Sequence, residues 1–327
     1  MNRSSVPPPV TRVLDAAEAW LPRRMAAVEA RLGELTLGGG ERLSAEAAAT
    51  LAAGGKRLRP MLVLVCAGEP GNEEAIRAAT AIELVHMATL VHDDVLDAAP
   101  LRRGRPTVVA RAGRSTATAV GDLLFSRAFA ELSEPGDGSG RQVGLLAGAS
   151  VGLAQGELAQ RRDAFDLAIS AERYLERCRL KTARLFECAC LIGADPGAEG
   201  TEALLTYGAE IGLAFQLLDD VLDVTGPPER TGKGLGTDLL DGTVTLPLIL
   251  ARERDHGLAD LDLRALDAPT ATEVCERIAS TGVLDTVRAD ARARVERAKA
   301  ALTPAAIDDR RRELLTMVAD GVVERYS

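Results

Sequence analysis

This chain has few aromatic residues, no long apolar run and no excess of basic charge. Aromatic residues are 3% of its 327 residues, and no stretch approaches the roughly 18 consecutive apolar residues that a membrane span needs. With 39 Lys and Arg against 48 Asp and Glu, the chain is also too acidic for a general nucleic-acid binder. We therefore expect neither a membrane span nor a nucleic-acid partner.

Cysteine motifs and signal-peptide features are equally sparse. The cysteines are odd in number and none forms a CxxC pair near a histidine, which argues against disulfides and zinc sites. They are Cys66, Cys178, Cys188, Cys190 and Cys275. Residues 1–10 hold one Arg and three Pro but no apolar core, so they do not resemble a secretory signal. We expect reduced thiols, a cytoplasmic location and a flexible tail over residues 1–10.

Residues that favour helices dominate the chain, and strand-like alternation of Val, Ile and Thr is almost absent. Breakers rich in glycine and proline separate the helical stretches. The predicted helices cover 11–33, 41–53, 60–68, 73–98, 112–133, 141–162, 170–194, 199–224, 245–255, 270–281, 284–302 and 304–325. Ser115, Ser170 and Thr270 are expected to be N-caps. Because no stretch resembles a linker between cores, we expect an all-α fold with a single helical domain over 11–327.

Two of the predicted helices, 73–98 and 199–224, are apolar on nearly all faces, yet each contains a DDxxD triplet. The first triplet is Asp93, Asp94 and Asp97, and the second triplet is Asp219, Asp220 and Asp223. In each triplet the outer two carboxylates lie on one helical face, and the middle one lies about 100° around the helix. Carboxylates buried without a partner are costly, so each triplet needs a cation.

Mg²⁺ is the cation that fits these triplets best. For one triplet alone, a solvated helix end or salt bridges to arginines would be the simpler explanation. Two copies in two apolar helices favour Mg²⁺, which binds carboxylate oxygens together with substrate phosphates. We therefore predict a magnesium site in which both triplets hold metal around one diphosphate.

Basic residues lie in loops that contain glycine. They occur in GGKRLRP at 54–60, in LRRGRPT at 101–107 and in GKGLGTD at 232–238. Alone, each segment could be an ordinary charged loop. Arg102 and Arg103 follow Asp97 closely and could instead clamp the diphosphate whose metals the aspartates hold. Lys181 offers a further cation within helix 170–194.

The histidines differ in their expected roles. His86 lies two helical turns before Asp93 on the same face, so it could bond a phosphate or be a core histidine. His92 is about 100° from the Asp93 face and is expected to pack, while His256 has no motif near it. No Ser/His/Asp or Cys/His arrangement indicates nucleophilic catalysis.

The chain resembles the trans-isoprenyl diphosphate synthases, also called polyprenyl synthetases, over roughly residues 40–325. The resemblance rests on five segments in the family's order, which are GGKRLRP, HDDVLDAAPLRRGRPT at 92–107, Lys181-Thr182, FQLLDDVLD at 215–223 and GKGLGTDLLDGTVTLP at 232–247. It implies a bundle of ten or more helices around a central cavity, usually in a homodimer. It also implies head-to-tail condensation of isopentenyl diphosphate with an allylic diphosphate such as geranyl or farnesyl diphosphate.

The resemblance also assigns roles to individual residues. It implies that the six aspartates of the two triplets bind two or three Mg²⁺ ions. The allylic diphosphate would be bound by Arg102, Lys181 and Lys233. Isopentenyl diphosphate would be bound by Lys56, Arg59, His86 and Arg103. The groups at the reacting centre would be Lys181, Thr182, Gln216 and Lys233. Thr243 departs from the family, where a lysine is common at this position.

Product length in this family depends on the residues four and five positions before the first aspartate, which are Thr89 and Ala88 here. Both are small, so the resemblance points to the long-chain polyprenyl diphosphate synthases that make quinone tails. A helical wheel places Thr89 on the Asp93 face and Ala88 about 140° away. Phe125 and Phe129 could still block the path of the growing chain, which leaves geranylgeranyl diphosphate synthase as the alternative.

Two other protein classes share some of these features. A non-catalytic partner subunit of a heteromeric synthase usually lacks one aspartate triplet. A terpene cyclase or head-to-head condensing enzyme is not expected to carry GGKRLRP together with LRRG. This chain has both triplets and both basic segments, which favours the head-to-tail synthase. That function leaves room for a weak membrane contact when an apolar product is released.

Overall fold

Helices make up most of the chain in its computed structural model, which describes residues 8–69, 73–102, 104–133, 139–194, 200–226, 235–302 and 307–324. The first helices are α1 (Pro8–Ala16), α2 (Trp20–Leu35), α3 (Glu41–Ala52), α4 (Leu58–Ala67) and α5 (Glu73–Leu96). A short hairpin pairs β1 (Leu101–Arg102) with β2 (Arg105–Pro106). The later helices are α6 (Val108–Ala112), α7 (Arg114–Ser133), α8 (Ser139–Asp163), α9 (Ala171–Cys178), α10 (Arg184–Gly193), α11 (Thr201–Thr225), α12 (Thr237–Leu240), α13 (Leu246–Arg254), α14 (Ala268–Ser280), α15 (Val283–Leu302) and α16 (Asp309–Glu324). The all-α prediction is confirmed.

Two long helices, α5 and α11, form the centre of the bundle. Their residues are buried on several faces, as expected for helices without a polar side. Helix α5 packs against α2, α4 and α7, while α11 packs against α10, α14 and α15. The buried side chains of these helices belong to one hydrophobic core. Each aspartate triplet therefore lies at the C-terminal end of a helix whose other turns are fixed in the core.

The predicted helix 11–33 is two helices in the structure. Helix α1 begins at Pro8, because a helix tolerates proline in its first turn, where no intrahelical N–H bond is made. Val13 is buried, and Arg12 pairs with Glu324 of α16. Glu18 has φ +57°, and this left-handed residue separates α1 from α2. Residues 8–10 of the predicted tail are thus helical, and residues 1–7 lie outside the described part of the chain.

Polar side chains cap several helices, though not always the expected ones. Ser170 caps α9 by accepting a hydrogen bond from the backbone N–H of Arg173 at 3.2 Å, so this prediction is confirmed. The predictions for Ser115 and Thr270 are wrong. Ser115 lies inside α7. Because α14 begins earlier than predicted, Asp267 is its cap and accepts from the backbone N–H of Thr270 at 3.0 Å.

A π turn at Arg179–Ala183 lies between α9 and α10, inside the predicted helix 170–194. Such turns are frequent at functional sites, and this one carries Lys181 and Thr182. Two glycines let neighbouring helices approach it. A Cβ on Gly156 of α8 would lie 2.5 Å from the backbone N of Lys181, and one on Gly212 of α11 would lie 2.5 Å from Cα of Ala183. The π turn is therefore held tightly between α8 and α11.

The hairpin at 101–106 is absent from the sequence prediction, because strands of two residues show no alternation. Gly104 makes its turn with φ +72°, a conformation that glycine adopts at no steric cost. The hairpin places Arg102 close to the end of α5. Elsewhere, the five cysteines are buried and free, and no helix in the described ranges is long and apolar enough to cross a bilayer.

Candidate active site

The first triplet is paired with arginines. Asp94 is buried, and its Oδ1 accepts a hydrogen bond from Nε of Arg102 at 2.7 Å. Asp97 lies nearer the surface, where its Oδ1 accepts a bond from Nη2 of Arg161 at 2.7 Å. Burial raises the pKa of Asp93, and the nearby Lys181 opposes this rise only in part. Cationic side chains of the protein thus balance part of this triplet's charge.

In the second triplet, the middle residue Asp220 is held by neutral donors. Asp220 is 2% exposed, and its carboxylate accepts hydrogen bonds from the hydroxyl of Tyr174 and from Nε2 of Gln216, the latter at 2.7 Å. Burial raises the pKa of Asp220 to about 8, and the nearby Asp238 adds to this rise. Asp223 accepts a bond from the backbone N–H of Asp238 at 3.1 Å. Unlike Asp94, Asp220 is therefore oriented without a cation from the described residues hydrogen-bonded to its carboxylate.

The π turn connects the surroundings of the two triplets. Oγ1 of Thr182 donates to Oε1 of Gln216 at 2.7 Å, and the amide of Gln216 in turn donates to Asp220. Nζ of Lys181 lies 2.5 Å from a carboxylate oxygen of Glu157, in an environment where Asp93 also favours its charged form. The structure thus brings Lys181, Thr182 and Gln216 together, three of the four residues predicted for the reacting centre.

Three side chains at this site belong to no sequence motif. Glu157 and Arg161 lie one turn apart near the end of α8, and Tyr174 lies on α9. Burial alone would raise the pKa of Glu157. This pKa is lowered instead, because Lys181 and Arg161 both contact the carboxylate. The sequence signal is an i, i+4 pair of opposite charges, which is equally common on exposed helices. Only the packing of α8 against the π turn reveals its position.

Arg57, just before α4, and Arg59, in the first turn of α4, have different surroundings. Arg57 is buried at φ +51° and pairs with Glu29 at 2.5 Å and with Glu83 at 2.7 Å, which fixes the loop. The guanidinium of Arg59 lies over the ring of Phe186 at 4.5 Å, and its buried Nε has no hydrogen-bond partner in the described part of the chain. Burial lowers the pKa of Arg59 to about 10, although Glu83 opposes the shift. A buried cation with an unpaired donor fits an anionic ligand.

A cavity of about 200 Å³ lies between α3, α5 and the hairpin. His86 and Arg102 both border it, so residues predicted for the two different diphosphates face one space. Lys56 is half-buried in the loop beside Gly54, which also lines the cavity. The apolar part of the lining includes Met87, Leu90 and Val91. The cavity can therefore accommodate a small ligand with an anionic head and a short apolar part.

The residues predicted to set product length do not line this cavity. Ala88 is fully buried, and Thr89 is half-buried with its Oγ1 donating to the backbone oxygen of His86 at 2.8 Å. His92 packs against Phe125 with ring centroids 6.0 Å apart, which agrees with its expected packing role. An aromatic ring thus stands directly beside the start of the first triplet.

Two predicted contacts, Arg103 and Lys233, lie outside the described residues. Within the described ranges, no three His, Cys, Asp or Glu side chains are placed as a ready-made metal site. The carboxylate oxygens nevertheless have the chemistry that a hard divalent cation requires.

Comparisons with known proteins find a matching family model and several similar chains. The family model described as polyprenyl synthetase matches residues 41–278. Heptaprenyl diphosphate synthase component 2 of Geobacillus stearothermophilus is 41% identical over 243 residues, which are 73% of this chain and 75% of that protein. The all-trans-nonaprenyl-diphosphate synthase (geranyl-diphosphate specific) of Rhodobacter capsulatus is 38% identical over 264 residues, with 76% and 79% covered. The crystal structure of a polyprenyl synthase from Caulobacter crescentus CB15, complexed with calcium and isoprenyl diphosphate, matches with TM-score 0.89 and 37% identity over 97% of this chain and 98% of that one.

Proposed function

Because the chain belongs to the polyprenyl synthetase family, we propose that it condenses isopentenyl diphosphate head to tail with an allylic diphosphate. The product is a long-chain all-trans polyprenyl diphosphate, as the names of the heptaprenyl and nonaprenyl relatives suggest. One observation carries the proposal. The π turn presents Lys181 toward the first triplet and Thr182 toward the second, so a diphosphate between the triplets would meet both.

The proposed cofactor is Mg²⁺, with two or three ions shared by the two triplets. Hard oxygen donors fit this ion, and burial raises the pKa values of Asp93 and Asp220, so their charged forms need a cation nearby. Bound Mg²⁺ would stabilise the negative charge that develops on the leaving diphosphate. Asp94 and Asp97 would turn from their arginines, and Arg102 would then bind the allylic diphosphate.

The protein's own residues support ionisation followed by attack. Lys181 and Arg102 would bind the allylic diphosphate, so charge is stabilised as its C–O bond breaks. The rings of Phe186 and Phe215, 5.6 Å apart, would keep water from the allylic cation. The double bond of isopentenyl diphosphate then attacks, one C–C bond forms, and the released diphosphate accepts the proton that is lost.

Isopentenyl diphosphate would bind beside the start of α4. Its diphosphate would satisfy the unpaired Nε of Arg59 and contact His86 and Lys56, with Arg103 as a further ligand. The ring of Phe186 already supports the Arg59 guanidinium, so this cation is oriented before the substrate arrives. The cavity bordered by His86 would hold the short apolar part of the molecule.

The structure also contains an observation that favours a shorter product. Phe125 stacks on His92, immediately before the first triplet, and with Phe129 it lies on the helix that packs most closely against α5. These rings could close the path of the growing chain after twenty carbons. Geranylgeranyl diphosphate synthase is therefore kept as the second candidate function.

We further propose a cytoplasmic homodimer. Val151 and Leu158 of α8 are each 58% exposed, and a partner copy would cover such apolar side chains. A weak membrane contact could assist release of an apolar product.

The test of the proposed function is product analysis with purified protein, farnesyl diphosphate, labelled isopentenyl diphosphate and Mg²⁺. Mass spectrometry should show products of about thirty carbons or more. Products that stop at twenty carbons would establish the geranylgeranyl alternative. A protein that shows native helical circular dichroism but incorporates no label would overturn the prenyltransferase assignment.

A further inference from the structure

Arg161 joins the first triplet to the environment of Lys181, although no sequence motif includes it. It lies near the C-terminal end of α8, and its side chain is 40% exposed. Its Nη2 donates to Oδ1 of Asp97 at 2.7 Å, and its Nε donates to Oε1 of Glu157 at 3.0 Å. These two bonds use two of the five N–H donors of the guanidinium.

The contact between Arg161 and Asp97 matches the contact between Arg102 and Asp94. In both pairs one guanidinium N–H donates to one aspartate oxygen of the first triplet at 2.7 Å. Arg102 already has a proposed role as a ligand of the allylic diphosphate. Arg102 donates through Nε and Arg161 through Nη2, but both place a guanidinium on the first triplet, which suggests the same role for Arg161.

Glu157 holds Arg161 and Lys181 next to each other. One of its carboxylate oxygens contacts Lys181 at 2.5 Å, and the other accepts the bond from Arg161. A carboxylate between two cations offsets their mutual repulsion, so both can face one anion. The close approach at Gly156, one residue before Glu157, fixes α8 against the backbone of Lys181. The position of Arg161 relative to Lys181 is therefore set by the fold.

We propose that Arg161 is a further ligand of the allylic diphosphate, which rests on the proposed function. When Asp97 turns toward metal, the Nη groups of Arg161 become available to a phosphate oxygen, while Nε stays on Glu157. The guanidinium is suited to this because its planar donors match phosphate oxygens. The competing explanation is a placeholder role, in which Arg161 only neutralises Asp97 and leaves when metal binds.

The test compares Arg161→Gln with Arg162→Gln. Arg162 is the adjacent residue of the same helix, is exposed, and forms no hydrogen bond or ion pair with the described residues, so its variant removes the same charge without the contacts. Binding of inorganic pyrophosphate is measured by calorimetry at saturating Mg²⁺. Arg161→Gln should weaken binding about tenfold or more, the usual loss for one charge-assisted bond. Arg162→Gln should bind like the wild type.

Steady-state kinetics then divide the effect between the substrates. Arg161→Gln should raise KM for farnesyl diphosphate by a similar factor and leave KM for isopentenyl diphosphate unchanged. Arg161→Lys keeps the charge but loses the planar fork, so its KM for farnesyl diphosphate should lie between those of the wild type and Arg161→Gln. It replaces Arg161→Gln in these measurements if that variant is poorly folded.

The remaining outcomes overturn the inference. If Arg161→Gln binds Mn²⁺ more tightly in paramagnetic resonance titrations and binds pyrophosphate like the wild type, Arg161 is only a placeholder. Equal losses in Arg161→Gln and Arg162→Gln would mean a general charge effect. If the wild type and Arg162→Gln also fail to bind pyrophosphate and make no product, the proposed function fails and this inference with it.

Discussion

The two aspartate triplets share one sequence pattern but lie in different environments. In the first triplet, Arg102 and Arg161 bond to Asp94 and Asp97, so positive charge is already present. In the second, Asp220 is buried and bonded to a hydroxyl and an amide, which orient it without an ion pair to the described residues. The motif alone therefore does not determine how its charge is balanced.

This difference indicates a division of labour between the triplets. Ion pairs with partly exposed arginines can exchange partners at modest cost, because water compensates the separated charges. A buried carboxylate held by neutral donors has a fixed position and a raised pKa, so it favours an incoming cation. We infer that Asp220 is a preorganised part of the site and that the first triplet rearranges when substrates bind.

The largest effect is expected from removing a carboxylate of either triplet. Asp93→Ala and Asp219→Ala should each lower kcat by several orders of magnitude, because both triplets are needed to hold metal on the leaving group. Chelation of divalent metal should abolish turnover in the wild type as well. The measurement is label incorporation at saturating Mg²⁺ and substrates.

Asp260→Ala, which changes an exposed aspartate outside both triplets, is the matched control and should retain wild-type activity. If either triplet variant kept near-native activity with Mg²⁺, the shared two-triplet site would be wrong. A large loss in only one variant would show that one triplet alone holds the essential metal.

Arg102 and Arg59 should affect different substrates. Arg102→Ala should raise KM for the allylic diphosphate, and Arg59→Ala should raise KM for isopentenyl diphosphate, each by roughly tenfold to a hundredfold for one charge-assisted phosphate contact. Lys233→Ala should act on the allylic substrate, as Arg102→Ala does. Initial rates with one substrate varied at a time measure the split. Equal changes in both KM values for every variant would contradict two separate diphosphate sites.

A smaller effect is expected when a neutral donor of the second triplet is removed. Tyr174→Phe deletes the hydroxyl that bonds to Asp220 and should raise the Mg²⁺ concentration for half-maximal rate about tenfold, because partners that orient a metal ligand tune its affinity. Titration with Mn²⁺, followed by paramagnetic resonance, measures the same change without turnover.

Tyr207→Phe provides the matched control for this change. Tyr207 is equally buried, and its hydroxyl donates to the backbone oxygen of Leu315 at 2.7 Å and not to a carboxylate of either triplet. Both variants should lose about 1–3 kcal/mol of stability, the cost of an unpaired buried acceptor. Only Tyr174→Phe should change the metal dependence; the same metal dependence in both variants would assign Tyr174 a purely structural role.

The parts of the site that follow from helix geometry could be predicted from the sequence. The period of 3.6 residues rotates the middle aspartate of each triplet by about 100°, and Asp94 and Asp220 are indeed the buried members. Helix α11 also carries Gln216 one turn before Asp220, which explains their hydrogen bond. Both relationships are local, so they do not depend on how the helices pack.

Contacts between distant helices could not be predicted in the same way. Arg161 and Asp97 are 64 residues apart, and their contact depends on the approach of α8 that Gly156 permits. Tyr174 reaches Asp220 across 46 residues, over the interface between α9 and α11. A single sequence contains no periodic signal for such pairs, and the π turn that arranges them resembles an ordinary helix in sequence.

Substitutions that alter product length should have the smallest effect on rate. Their effect on the size of the product should nevertheless be clear. Each added isoprene unit needs about 4–5 Å of depth, close to three residues of helix rise, along a path between apolar helices. Ala88 is fully buried, so Ala88→Phe adds a ring that a dense interior cannot easily relieve. The variant should make products of fifteen or twenty carbons, while the first condensation stays nearly intact because the triplets and basic residues are unchanged.

The reverse experiment uses Phe125→Ala, which removes the ring that stacks on His92. If the wild type makes long chains, this variant should leave product length unchanged, since Ala88 and not Phe125 would then control the path. If the wild type stops at twenty carbons and Phe125→Ala lengthens the product, the ring beside the first triplet limits the length of the chain. Unchanged length in Ala88→Phe, with melting temperature lowered by overpacking, would show that Ala88 packs against a neighbouring helix instead of lining the path. The small residue before the first triplet would then serve the core, and product length would be set on α7.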